Sequence, residues 1–131
     1  MDNTTPHGDA PDAVEGFRRC VHEVLRIADS SCGVEELEPE LEHALRILLE
    51  NFDLRDRFET EIVSLLDTPA EGVVELVSFV MQELRWPLVK AEVERRLTHP
   101  TGDVSNRRHY EAMLDAFHDS WRDRDLYKRY R

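Results

Sequence analysis

The sequence predicts an all-α fold of five to six amphipathic helices. Apolar residues recur at the helical period along most of the chain, and no segment alternates apolar and polar residues for long enough to form a strand. Glycine and proline together occupy only 11 of 131 positions, which favours an ordered chain whose length suits one domain. We therefore expect residues 1–10 to be a disordered lead and residues 11–131 to form a single all-α domain.

The first two helices are predicted on either side of Gly33. Pro11 suits the first turn of the first helix, and Gly33 suits its end. Its apolar face consists of Val14, Phe17, Val21, Val24, Leu25 and Ala28. The second helix is expected to begin near Pro39 and to end near Asn51. Its apolar stripe consists of Leu41, Ala44, Leu45 and Leu48.

The next two helices are predicted from their N-terminal signals. Asp53 suits the N-cap of a third helix, whose apolar face holds Phe58, Ile62, Leu65 and Leu66. Before the fourth helix, Thr68 suits the N-cap, Pro69 the first position and Glu71 the third, as in a capping box. That helix is apolar almost all round, so we expect it to be central and buried. Its narrow polar stripe consists of Glu71, Glu75, Ser78 and Gln82.

Pro87 follows Trp86 in the middle of an apolar stretch. A proline inside a helix removes a backbone donor and costs about 3 kcal/mol, so we expect Pro87 to open a fifth helix and Trp86 to fill the corner before it. Residues 98–106 are predicted to be the longest irregular connection. A last helix follows, and its apolar face holds Tyr110, Met113, Leu114, Phe117 and Trp121.

One pattern occurs three times in the sequence: an apolar helix end, a short break and then a charged amphipathic segment. Its three copies begin at Leu48, Val80 and Met113, which are 32 and 33 residues apart. This spacing is typical of helical hairpins that stack on one another. The pattern resembles HEAT-like hairpins, although their repeats are longer, at about 40 residues. The resemblance implies stacked antiparallel hairpins, whereas a compact bundle accounts for the same periodicities.

The charge of the chain is acidic and unevenly distributed. Of the net charge of −11, residues 1–66 contribute −10, from 16 acidic and 6 basic residues, and residues 67–131 contribute −1, from 12 and 11. An acidic protein is a poor nucleic-acid binder, and no apolar run approaches the roughly 20 residues that span a bilayer. Two cysteines and no export signal indicate a cytoplasmic location with free thiols. We expect a protein partner with a basic surface, no nucleic acid and no membrane.

Two segments are candidate binding surfaces. The first is an acidic run that includes Glu35, Glu36, Glu38, Glu40 and Glu42. It is either a solvated helix start, favoured by the helix dipole, or a docking patch for a basic protein.

The second candidate surface is the C-terminus, where aromatic and basic residues interleave. Its members are Trp121, Arg122, Arg124, Tyr127, Arg129 and Tyr130. Such residues are enriched at binding hot spots. Alternatively, the aromatic residues close the fold and the arginines pair with the acidic half of the chain.

Catalytic and metal signatures are weak. Glu40 and His43 have the E-x-x-H spacing of di-iron bundles, but they lie off the apolar stripe of their helix and are expected to face solvent. Cys20 is expected to be an ordinary semi-buried thiol. We therefore predict no catalytic residue, no cofactor and no metal. Glu111, Asp115 and His118 share one flank of the last helix and are a candidate pocket.

The leading hypothesis is a small acidic interaction module in the cytoplasm: an adaptor, an inhibitor or an immunity-type protein. The alternative is a helical-bundle enzyme or small-ligand binder that uses the pocket of Glu111, Asp115 and His118. A third hypothesis is a homodimer formed through the terminal aromatic residues.

Overall fold

The fold is built around one helix, α4, and the other helices pack on it or on its neighbours. The computed structural model describes residues 9–30, 33–98 and 106–131, with side chains from Asp12 onward. Its helices are α1 (Asp9–Asp29), α2 (Val34–Glu50), α3 (Arg55–Leu65), α4 (Glu71–Leu84), α5 (Pro87–Thr98) and α6 (Arg107–Asp115). Short 3-10 turns lie at Phe52–Leu54, Arg124–Leu126 and Lys128–Tyr130. These ranges contain no strand, so the all-α prediction is confirmed.

Helix α4 contacts α1, α2 and α6, while α5 packs on α3 and α6. Its side chains Val77, Phe79, Val80 and Met81 are fully buried within one continuous core, as predicted for a helix that is apolar almost all round. The polar residues Ser78 and Gln82 are buried as well. The helices pack compactly, and their arrangement as stacked antiparallel hairpins stays a prediction.

Glycine at position 72 allows α1 and α4 to approach closely. A Cβ atom at this position would lie 2.7 Å from Leu25 Cδ2 and 3.2 Å from Leu25 Cα. The second atom belongs to the backbone and cannot rotate away. Any side chain at Gly72 would therefore push the two helices apart.

The corner between α4 and α5 is a turn, as predicted. Arg85 follows the last residue of α4 with a left-handed φ of 49°, and its backbone nitrogen donates to Met81 O at 2.9 Å. Pro87 is the first residue of α5, where its fixed φ suits the helix and its missing donor is not needed. The buried Trp86 ring fills the corner beneath the Arg55 guanidinium, 4.9 Å away.

Two predicted helix starts are wrong. Thr68 donates its backbone N–H to Leu65 O, so it belongs to the turn that ends α3, and α4 begins at Glu71 after an extended Ala70. Asp53 lies inside a 3-10 turn, and Leu54 takes the N-cap of α3. In each case the chain already satisfies its backbone in the preceding turn, so the side-chain cap is not used.

The prediction for the boundary between α1 and α2 is also wrong. Helix α1 ends at Asp29, and Gly33 is the extended N-cap residue of α2, which begins five residues before Pro39. The predicted end at Asn51 is correct, because its side-chain amide donates to Ile47 O at 2.9 Å.

Two predicted irregular segments lie largely outside the described residues. The residues outside the described ranges are 1–8 of the predicted lead and 99–105 of the predicted loop. Helix α1 begins at Asp9, so it includes the last two residues of the predicted lead. No helix in the described ranges has both the length and the apolar character needed to cross a bilayer.

Candidate functional site

The polar stripe of α4 binds the end of the chain. We call residues 116–131 the C-terminal segment. Gln82 Nε2 donates to the carbonyl oxygens of Ala116, at 2.7 Å, and His118, at 3.0 Å. The Tyr127 hydroxyl donates to the Glu75 carboxylate, and these contacts leave the C-terminal segment lying along a helix that is otherwise apolar.

The two binding surfaces predicted from the sequence contact each other. The carboxylate of Glu38, only 9% exposed, accepts hydrogen bonds of 3.0 Å from the backbone nitrogens of Lys128 and Arg129. The Arg129 guanidinium donates to Glu42 at 2.9 Å and lies 3.4 Å from Glu83. The acidic run of α2 therefore holds the basic end of its own chain.

Among the other predicted binding residues, the aromatic ones are largely enclosed. Trp121 and Tyr127 are buried and stack on each other, with ring centroids 5.6 Å apart. Tyr130 is half-buried and donates its hydroxyl to Phe79 O at 2.6 Å. These contacts favour the interpretation that the aromatic residues close the fold.

The polar side chains of the two surfaces have different surroundings. The Arg124 side chain donates to Asp119 O at 3.0 Å. Glu35, Glu36 and Arg122 are exposed. Arg129 is exposed as well, although its guanidinium is paired with Glu42.

A cleft of about 870 Å³ lies between α4, α6 and the C-terminal segment. We call it the acidic cleft, because five of its lining residues are acidic and two are arginines. The acidic residues are Glu71, Glu75, Glu111, Asp115 and Asp123, and the basic ones are Arg108 and Arg122, accompanied by His109. A cationic group entering this space would meet an excess of carboxylates.

The carboxylates of the acidic cleft differ in their surroundings. Asp115 accepts the backbone N–H of Arg122 at 2.9 Å, and Glu111 pairs with Arg107 at 3.2 Å. Glu71 and Asp123 are exposed, and no ion pair joins them to a base within the described residues. They are therefore the carboxylates most available to a ligand.

The acidity of Glu75 in the acidic cleft is perturbed by its surroundings. Burial raises the pKa of Glu75 above its ordinary value, and the nearby charges of Glu71 and Asp123 raise it further, against the opposing effect of the Tyr127 hydrogen bond. Burial, together with the adjacent carboxylate, also raises the pKa of Tyr127. A half-buried carboxylate whose charge is disfavoured gains when a cation binds beside it.

The three residues of the pocket predicted from the sequence do not all lie at one place. Glu111 and Asp115 line the acidic cleft, whereas His118 lies on the exposed turn after α6 and does not. His109 lines the cleft instead, and its Nδ1 atom is buried without a hydrogen-bond partner among the described residues. His109, Ala112 and Asp115 follow one another at intervals of three residues. This helical spacing could have shown, from the sequence alone, that they share the face of α6 that lines the cleft.

A second group of side chains forms a cluster that sequence reasoning missed. Ligand atoms of Cys20, Glu40 and His43 all lie within 4.8 Å of one another. The carboxylate of Glu40, expected to face solvent, is half-buried against α1. Burial, with a smaller effect of the Glu40 hydrogen bond, raises the pKa of the Cys20 thiol to about 12. The periodicity of α2 alone could not reveal a contact that α1 completes.

Comparisons with known proteins leave these surfaces as the basis for any functional argument. No protein-family model, no curated protein and no solved structure matches the chain significantly.

Proposed function

We propose that the protein is a small interaction module of the cytoplasm, an adaptor, inhibitor or immunity-type protein, whose partner is a protein with a basic surface. The acidic cleft is the observation that carries this proposal. Its volume of about 870 Å³ accommodates a long side chain, and its lining is rich in carboxylates. Free Cys20 within the core agrees with a reducing compartment.

The cleft offers two kinds of contact to a lysine or arginine of the partner. Glu71 and Asp123 are exposed and would attract the approaching cation, which raises the association rate at low salt. Glu75 is half-buried and would contact the cation once water has been displaced. Because the contact is electrostatic, affinity should fall as ionic strength rises.

The acidic run of α2 has a narrower role in this proposal than its sequence suggests. Glu38 and Glu42 are engaged by the C-terminal segment. Glu35 and Glu36 are exposed in the first turn of α2, so they can provide a second contact to a basic surface. Arg122, exposed at the rim of the cleft, would contact an acidic residue of the same partner.

The test compares two variants that carry the same change in charge. In the first, Glu71→Gln and Asp123→Asn neutralise the acidic cleft. In the second, Glu50→Gln and Asp56→Asn neutralise two exposed acids near the ends of α2 and α3. Each immobilised variant is presented with lysate at low salt, and recovered proteins are quantified by mass spectrometry and then measured singly as purified partners.

We expect a specific basic partner to bind the wild-type chain and the Glu50/Asp56 variant alike, and to bind the cleft variant at least about tenfold more weakly. Equal loss in both variants would indicate a general charge effect and would contradict the proposal. So would failure to recover any basic partner.

A second candidate function is the binding of a small organic cation, with or without catalysis. The volume of the acidic cleft falls within the range of about 300–1,000 Å³ that small-molecule sites occupy, and the unpartnered His109 Nδ1 offers a further polar contact. Calorimetry with polyamines and amino-acid amides tests it. Micromolar binding that Glu71→Gln weakens would favour this function over the protein partner.

A homodimer remains a third hypothesis. The terminal aromatic residues contribute to the core of the monomer, whereas Phe52 is 77% exposed and offers an apolar contact. Native mass spectrometry tests the hypothesis directly. A single species of one chain at micromolar concentration would exclude it, and a dimer that Phe52→Glu dissociates would support it.

A further inference from the structure

We propose that Cys20 of α1 and Glu40 and His43 of α2 form a Zn²⁺ site at the seam between these two helices. The three residues offer a thiolate, a carboxylate and an imidazole, which are the ligand types that Zn²⁺ binds in proteins. This site is separate from the acidic cleft and does not depend on the proposed partner.

The positions of the ligand atoms suit a tetrahedral ion. Ordinary zinc–ligand distances require about 3.4 Å between a nitrogen and an oxygen ligand, and about 3.6 Å between sulfur and either of them. His43 Nδ1 lies 3.4 Å from Glu40 Oε2, and one ligand atom from each of Cys20, Glu40 and His43 lies within 4.8 Å of the other two. Closing the site requires a shift of at most about 1.2 Å, which rotation of the exposed His43 side chain can supply.

The fold brings these ligands together for two independent reasons. Glu40 and His43 are three residues apart and therefore lie on one face of α2. Cys20 comes from α1, the principal packing partner of α2, and is only 1% exposed. A buried thiol at the base of the site and an exposed imidazole at its mouth leave one coordination position open to water.

Metal binding exchanges a proton of the protein for the metal ion. Zn²⁺ replaces the hydrogen on the Cys20 sulfur, and that proton passes to solvent. The imidazole binds through Nδ1 in its neutral form and Glu40 as its carboxylate, so the charges of the ligands sum to −2. They balance the charge of the ion.

Cobalt substitution tests the site because Co²⁺ bound to a thiolate has a charge-transfer absorption in the near ultraviolet. Co²⁺ is titrated into the full chain carrying Cys32→Ser, which removes the second cysteine, and Zn²⁺ is then added as a competitor. We expect one equivalent of Co²⁺ to produce the band and Zn²⁺ to abolish it.

Variants on the same two helices identify the ligands. In the Cys32→Ser background, Cys20→Ser should remove the band, and His43→Ala should weaken Co²⁺ binding at least about tenfold. His22→Ala is the matched control, because His22 is an exposed histidine of α1 outside the cluster, and it should leave binding unchanged. His43 is exposed, so its replacement tests the site even where Cys20→Ser impairs folding.

Two results would overturn the proposal. One is a dissociation constant of the parent chain for Co²⁺ and Zn²⁺ weaker than about 1 mM. The other is a charge-transfer band that survives Cys20→Ser or is unaffected by His43→Ala, since either would place the metal elsewhere.

Discussion

The carboxylate of Glu38 accepts a hydrogen bond of 3.0 Å from the backbone nitrogen of Lys128, 90 residues further along the chain. A second bond of the same length comes from Arg129. Both nitrogens lie in the first turn of the 3-10 helix Lys128–Tyr130, whose N–H groups lack intrahelical partners. Glu38 thus caps a helix that belongs to the other end of the molecule.

We expect Glu38→Gln to lower the free energy of unfolding by about 2 kcal/mol, because hydrogen bonds to a charged group contribute about 1.5–3 kcal/mol and this group is buried. Urea unfolding followed by tryptophan fluorescence measures the change. Glu42→Gln is the control, since it removes only a partly exposed ion pair with Arg129, which should contribute less than about 1 kcal/mol. Equal effects of the two variants would contradict the assigned role of Glu38.

Glu75 should make stability depend on pH. Its pKa is raised by burial in the folded chain, so the folded state binds more protons than the unfolded state between the two pKa values. The contribution of this group is therefore fully present below its unfolded pKa and is lost as pH rises through the folded value. The titratable and charged groups around it line the acidic cleft: Glu71, Arg108, His109, Glu111, Asp115, Arg122, Asp123 and Tyr127.

Replacement of Glu75 by glutamine isolates its titration. The amide oxygen can still accept the Tyr127 hydrogen bond, so the variant should be more stable than the wild type at about pH 7, and this advantage should shrink towards about pH 4. Unfolding free energies of both chains across this range give the comparison. A difference that does not change with pH would show that Glu75 has an ordinary pKa.

Gly72→Ala should destabilise the protein, whereas Gly16→Ala should not. A methyl group at Gly72 would overlap Leu25, and overpacking of this kind costs about 1–3 kcal/mol. At Gly16, also within a helix, the new methyl group would lie 3.6 Å from Ile47 Cδ1. Alanine should stabilise the helix there by about 0.5–1 kcal/mol. Thermal unfolding distinguishes the opposite signs, and a stabilised Gly72→Ala chain would refute the close contact of α1 with α4.

Arg85→Gly should increase stability. The left-handed φ of 49° at Arg85 disfavours any residue with a Cβ atom by about 1–2 kcal/mol, and glycine removes this strain. The substitution also loses the exposed ion pair with Asp119, at 2.7 Å, but such pairs contribute little. Asp119→Asn removes the pair alone and serves as the control. If Arg85→Gly is the less stable of the two variants, the side-chain contacts of Arg85 outweigh its backbone strain.

The sequence predicts those features that depend on local periodicity. The burial of α4 follows from its nearly continuous apolar surface, and the turn at Pro87 follows from the geometry of proline. Both are determined within one or two helical turns, and the structure confirms them.

Features that depend on which helices meet are not predictable in this way. Glu38 belongs to the same acidic run as the exposed Glu36, yet the fold buries it against Lys128. Likewise, Cys20 and His43 lie on different helices, and only the packing of α1 on α2 brings them together. Helical periodicity identifies the face of a residue but not the element that covers it.

The contacts of α4 with the C-terminal segment have a consequence for synthesis of the chain. Tyr130 reaches Phe79 across 51 residues, and at about 5–20 residues per second a ribosome needs roughly 3–10 s to produce that length. During this interval the apolar face of α4 has been synthesised but is not yet covered by the C-terminal segment. Nascent chains stalled between these two points should recruit chaperones, and release from them should coincide with the arrival of Tyr127 and Tyr130.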